Sequence, residues 1–118
     1  MMLEFKYIKD KGDLDSERSV FKVISDCNLG DFIAFRTKEI SEDGISSKIE
    51  LPFWFPDKRI KKGDTVVLYS KKRRINEKTN KDGSISHFFY WGNDTPLFLE
   101  DDDSVLLVEI RRKTRCLN

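Results

Sequence analysis

"LPFWFPDKRIKKGDTVVLYSKKRR", residues 51–74, decides the fold class. Within it, "TVVLYS" (65–70) is an apolar, β-branched and aromatic run between the turn Lys62-Gly63-Asp64 and the polar run Lys71-Lys72-Arg73-Arg74. That combination reads as a strand. Upstream, Phe53, Trp54 and Phe55 run straight into Pro56. Proline fixes φ and lacks an amide hydrogen, so Pro56 stops pairing just beyond a strand that ends near Phe55. Pro52 inside that strand argues for an edge, a bulge or a boundary.

Working outward, the same period-two alternation recurs. "LEFKYIK" (3–9) sets Leu3, Phe5 and Tyr7 against Glu4, Lys6 and Ile8, and "RSVFKVIS" (18–25) sets Phe21 and Val23 against Val20, Lys22 and Ile24. "DFIAFRTK", "KIELPFWF", "HFFYW" and "SVLLVEI" read as further strands, with "PLFL" a short one. Gly12, Asn28 with Gly30, Asp43-Gly44 and Asp82-Gly83 supply turn chemistry between them. Residues 71–86 read as one long polar loop, the segment with least to bury. Strands every 8–16 residues, without a convincing helical period anywhere, mean a β-sandwich or barrel. The chain reads as one domain, 1–118.

The composition agrees. Of 118 residues, 38% are hydrophobic and 36% charged, and nine Phe are available to fill a core. A chain of this length buries roughly two-thirds of its unfolded surface without a metal or disulfide staple. The net charge of +1 conceals segregation: residues 57–81 carry +7 and residues 82–110 carry −7. Cys27 and Cys116 are too few for a disulfide framework and fit no zinc spacing, although one disulfide between them stays open. No run approaches the ~18 apolar residues of a membrane helix, and the first residues lack the apolar core of a secretory signal. A cytoplasmic protein without a membrane span is the expectation.

Three patterns resemble the lamin tail domain, an immunoglobulin-like β-sandwich. They are "VFKVISDCNLGDFIAFR", "FWFPDKRIKKGDTVVLYS" and "YWGNDTPLFLEDDDSVLLVEI", in the family's order and spacing. The similarity covers about residues 18–112, preceded by an extra N-terminal strand at 2–9. It implies an antiparallel immunoglobulin-like sandwich of about 7–9 strands, with a non-enzymatic role in binding or tethering a protein partner. The extra strand either joins the chain's own sheet or pairs with a second copy, giving a homo-oligomer.

Chemistry-bearing constellations are few. His87 is the one histidine and opens an apolar strand, a structural position. "EDDD" (100–103) offers hard oxygens but not the spaced pattern that wraps calcium, and so reads as a solvated acidic turn. No phosphate-binding glycine loop is present, and the expectation is no catalytic residue, no metal and no cofactor. The candidate binding residues are Lys58, Arg59, Lys61, Lys62, Lys71, Lys72, Arg73 and Arg74, together with Trp54. Through them, nucleic acid or an acidic partner is the alternative ligand. Against this stands their use as solubilising, edge-protecting charge. A six-residue strand spans about 20 Å, which sets the two basic clusters at opposite ends of it. Because strand neighbours face opposite ways, the runs 53–55 and 88–91 must turn some rings outward. Trp54 is the ring expected to be exposed, the others being covered by the 71–86 loop. The expected core is Phe21, Val23, Ile33, Phe35, Phe55, Val67, Phe89 and Leu107.

Overall fold

A computed structural model describes residues 1–40 and 44–111, and the side chains of these except 39, 40 and 44–47. Ten strands form: β1 (Leu3–Lys9), β2 (Arg18–Val23), β3 (Cys27–Asn28), β4 (Phe32–Ile40), β5 (Gly44–Trp54), β6 (Arg59–Ile60), β7 (Thr65–Tyr69), β8 (Asn76–Thr79), β9 (Ile85–Tyr90) and β10 (Asp103–Glu109). They build a five-stranded sheet in the order β1-β2-β7-β9-β8, a three-stranded sheet β10-β4-β5 and a two-stranded ribbon β3-β6. A single 3-10 turn, Leu29–Asp31, is the only helical element among the described residues. The all-β sandwich read from the alternation is therefore what forms.

Its core lies between the two large sheets. Phe21, Leu68 and Phe89 from the five-stranded sheet meet Phe32, Ala34, Val105 and Leu107 from the three-stranded one. Phe55 sits at the centre, edge-to-face with Phe21 at 6.0 Å and with Phe89 at 5.4 Å. Such edge-to-face contacts satisfy the ring quadrupoles while filling volume. Pro56 does follow the end of pairing: the Phe55 amide still donates to the Phe32 carbonyl, at 3.2 Å.

One pairing departs from an antiparallel plan. β7 and β9 run parallel, from Thr65 opposite Ser86 to Tyr69 opposite Tyr90. After β7 the chain crosses to the sheet edge, forms β8, and turns back at Asn80–Gly83 to lay β9 between β7 and β8. Residues 71–86 are thus not one polar loop. Their second half is a hairpin, because Asn76, Lys78 and Thr79 need only backbone pairing to sit at an edge, where both faces stay wet.

The N-terminal strand joins the chain's own sheet beside β2. Its apolar face is not Leu3-Phe5-Tyr7, however. A bulge between Phe5 and Tyr7 shifts the register, so Leu3, Phe5 and Ile8 pack on the core while Tyr7 is half exposed. An extra residue in one strand reverses the facing of everything after it. Ile33 and Phe35, expected inside, lie on the outer face, and their neighbours Phe32 and Ala34 are the buried pair. Four consecutive apolar residues leave the parity of β4 open, and a slip of one reverses every side chain. "PLFL" is not a strand: Leu97 and Phe98 are buried in an irregular segment. Pro52 behaves as its chemistry demands. It lies in edge strand β5, at a register shift where Leu51 takes a left-handed φ of 53°. The Asp43-Gly44 turn and Cys116 involve residues outside those described, and so does the Cys27–Cys116 pairing.

Candidate functional site

Three buried polar groups hold the sandwich in shape. The Glu17 carboxylate is fully buried and, among the described residues, has no Lys, Arg or His partner within 4.0 Å. It accepts from the amides of Gly12 (2.9 Å), Leu97 (2.8 Å) and Phe98 (3.2 Å), and from the Ser70 hydroxyl. One side chain thereby ties the β1–β2 loop, the end of β7 and the irregular 97–98 segment together. No local signal in the sequence distinguishes Glu17 from the neighbouring acids Asp13 and Asp15.

His87 Nε2 lies 2.9 Å from Asp64 Oδ2, both side chains being buried. Burial works against ionisation of Asp64, but the His87 contact and the Ile85 and Lys61 amides outweigh it and hold the carboxyl below its ordinary range. His87 is thus part of a structural pair, although its Nδ1 has no hydrogen-bond partner among the described residues. Asp103 behaves similarly. Burial opposes its charge, while the Glu100 amide, Lys38 and Arg36 prevail and lower its pKa. Its Oδ2 accepts from the Leu99 and Glu100 amides, and Lys38 Nζ stands 3.3 Å from its Oδ1. Lys11 closes the same turn by donating to the Asp101 and Asp103 carbonyls. The "EDDD" turn is therefore occupied by its own amides and lysines. Among the described residues, no group of three or more His, Cys, Asp or Glu is placed to hold a metal ion.

Beyond these anchors, the chemistry sits on the two outer faces. Alternation along β4 and β10 turns Ile33, Phe35, Leu106 and Val108 away from the core, in register as Ile33–Val108 and Phe35–Leu106. Trp54 lies opposite Ile33 on the other flank, 55% exposed, and Ile49 is 45% exposed. The Trp54 indole N–H donates to the Gly30 carbonyl at 2.8 Å, which fixes the ring's orientation. The expectation of an exposed Trp54 is met.

The outer face of the five-stranded sheet is different. Tyr69, Phe88 and Tyr90 stand on it, with Tyr69 and Tyr90 stacked at 5.3 Å and 14° and Phe88 at 6.3 Å from Tyr69. The polar 71–86 segment does not cover them, because its strand extends the sheet rather than crossing it. Lys71 Nζ and the Arg18 guanidinium lie 5.2 and 5.7 Å from the Tyr69 ring centre.

The eight basic candidates do not converge. Lys58 is drawn to Glu77 (2.7 Å) and lies over Phe89, and Arg59 belongs to the β3-β6 ribbon. Lys61 and Lys62 flank the turn before β7, at the far end from Lys71, Lys72, Arg73 and Arg74. Trp54 lies on the other sheet. Of the second cluster, Lys71 stands over the Tyr69 ring, and the exposed run Lys72, Arg73 and Arg74 is tied to the rings at one end, where Asn76 donates both to the Arg74 carbonyl (3.1 Å) and to the Tyr90 hydroxyl (2.9 Å). The residues missed from sequence are Tyr69, Phe88 and Tyr90 as a set, since only the parallel β7–β9 pairing brings them side by side. No helix among the described residues is long and apolar enough to cross a membrane.

No protein-family model matches this chain, and no curated protein is significantly similar to it.

Proposed function

We propose that this domain is a non-enzymatic interaction and tethering module of the lamin-tail kind, which docks a protein partner on the outer face of the β10-β4-β5 sheet. One observation carries the proposal: Ile33, Phe35, Ile49, Trp54, Leu106 and Val108 share that face, and its largest ring is among the most exposed. Contiguous apolar surface left in water costs roughly 25 cal/mol per Å² and marks an interaction site. A tryptophan held by a hydrogen bond has little rotamer freedom left to lose, which suits an interface anchor. The fitting occupant is a protein surface with an apolar centre.

The test compares partners cross-linked to the wild-type domain with those of a Trp54→Ser/Ile49→Asp variant of unchanged melting temperature. Loss of a specific cross-linked protein, with binding re-established from purified components, supports the proposal. An identical partner set for both forms would refute it. A wild-type dimer that the variant turns into a monomer would name a second copy of the chain as the occupant.

A further inference from the structure

The opposite face carries a different chemistry. We infer that the outer face of the five-stranded sheet binds single-stranded nucleic acid, with bases stacking on the Tyr69, Phe88 and Tyr90 rings and phosphates following Lys71 to Arg74. Its ligand is distinct from the protein partner proposed for the β10-β4-β5 sheet.

Three observations combine here. The first is the ring row itself. Aromatic side chains on a sheet are ordinarily directed into the core, yet this domain places two of the five residues of "HFFYW" and the last residue of β7 together on the solvent side. A flat stacked pair such as Tyr69–Tyr90 extends readily by one more planar ring, and every base has such a face. The second is the coincidence of charge with rings. The run Lys71-Lys72-Arg73-Arg74 leaves β7 directly after the Tyr69–Ser70 end, and Asn76 couples the Arg74 backbone to the Tyr90 hydroxyl. Cations bordering aromatics are the arrangement that tracks a phosphate backbone while its bases stack. The third is that cation–ring contacts are already formed. Lys71 and Arg18 sit over Tyr69, so the charges are held beside the stacking surface instead of ranging freely.

Acidic neighbours temper the field without removing it. Asp10 pairs with Arg18 at 3.2 Å, and Asp15 approaches Lys71 at 3.9 Å but is itself 95% exposed. Asp13, Asp15 and Asp94 also line a shallow groove with Lys71 and Lys72. Both pairs are open to solvent on the carboxylate side, and pairs so placed are weak and yield to a polyanion. Lys72, Arg73 and Arg74 have no carboxylate within 4.0 Å among the described residues. A duplex does not suit the face, because its bases are already stacked on one another and offer the rings nothing.

Fluorescence anisotropy with labelled 12-mers at 25–200 mM salt tests this on the full chain. Matched RNA and DNA single strands, a duplex, heparin and poly-glutamate are the probes. A single strand of either sugar should bind about ten-fold or more tighter than the duplex. Its affinity should fall with salt at a logarithmic slope of about −3, as for four phosphate contacts. Tyr90→Leu should weaken single-strand binding about ten-fold while leaving heparin unchanged, since stacking and not charge is removed. Tyr90→Phe keeps the ring and loses only the hydroxyl that Asn76 holds, so it should recover most of the affinity that Tyr90→Leu loses. If Tyr90→Leu does not fold, Phe88→Leu carries the same comparison. Lys72→Ala/Arg73→Ala/Arg74→Ala, an exposed triple variant, should reduce the slope by about 2. Three results would overturn the inference: no saturable single-strand binding at 25 mM salt, equal affinity for duplex and single strand, or loss of the ring without effect. Tight poly-glutamate binding indifferent to Tyr90→Leu would also overturn it and point to an acidic protein. Trp54→Ser should change none of these affinities, which separates this face from the protein-docking one.

Discussion

Replacing Glu17 by Gln changes one atom of a fully buried side chain, and its cost follows from the hydrogen-bond geometry. Every group around the carboxylate donates: the Gly12 and Phe98 amides to Oε1, and the Leu97 amide with the Ser70 hydroxyl to Oε2. A glutamine must place its NH2 on one of these oxygens. On the Oε1 side it would face two backbone N–H groups that cannot reverse. On the Oε2 side Ser70 can rotate and accept, leaving the Leu97 amide alone without a partner. That second choice is cheaper. It loses one charge-assisted bond, strands one buried donor at about 1–3 kcal/mol, and weakens the two bonds that remain on Oε1. The expected loss is about 2–4 kcal/mol. At this chain length it corresponds to a fall in Tm of about 10–15 °C near the middle of the range. Urea unfolding measures the free energy, and native-state hydrogen exchange at Leu97 locates it. Glu17→Ala, which strands all four donors, should cost more than Glu17→Gln. A loss below about 0.5 kcal/mol, with the Leu97 amide as protected as before, would refute the view of Glu17 as the latch on that segment.

Other outcomes are checked by standard unfolding measurements. Phe55→Ala should cost about 3–5 kcal/mol because the ring is enclosed on all sides, whereas Phe35→Ala on the outer face should cost clearly less; equal costs would mean the facing of β4 is misassigned. Asp64 and Asp103 are held below their ordinary pKa, so the unfolded chain takes up protons first as pH falls. Their stabilisation is therefore complete above about pH 4 and is lost on further acidification through the folded values. Stability measured from pH 6 to pH 2 should fall below pH 4, and less steeply in Asp64→Asn and Asp103→Asn than in wild type. Deleting residues 1–9 removes an edge strand whose Leu3 is fully buried, and should lower Tm without changing a monomer's mass. An unchanged Tm would place that strand outside the cooperative unit.

Local chemistry in the sequence determined the fold class, the places of the longer strands and part of the core. Period two in β2, the β-branched apolar run of β7, turn residues between the strands, and Pro56 after Phe55 act over a few residues, where backbone sterics and local side-chain chemistry suffice. Phe21, Val23, Phe55, Phe89 and Leu107 are buried in the core as expected, whereas Val67, though buried, lies on the outer face of β7 between the core-facing Val66 and Leu68. Side-chain direction was legible only where polar residues mark the wet face. In Phe32-Ile33-Ala34-Phe35 none does, and pairing with β10 and β5 chose the parity. In β1 a one-residue bulge against β2 reversed the facing of Tyr7 and Ile8. The burial of Glu17 depends on Leu97 and Phe98, some eighty residues away, meeting it with free amides. The two candidate faces have the same origin. Tyr69 and Tyr90 become a stack only because β9 lies parallel beside β7, and Trp54 joins Ile33 and Val108 only through β4. Residue type states what a side chain can bind, but which side chains act together is set by strand order and register, and those are properties of long-range pairing.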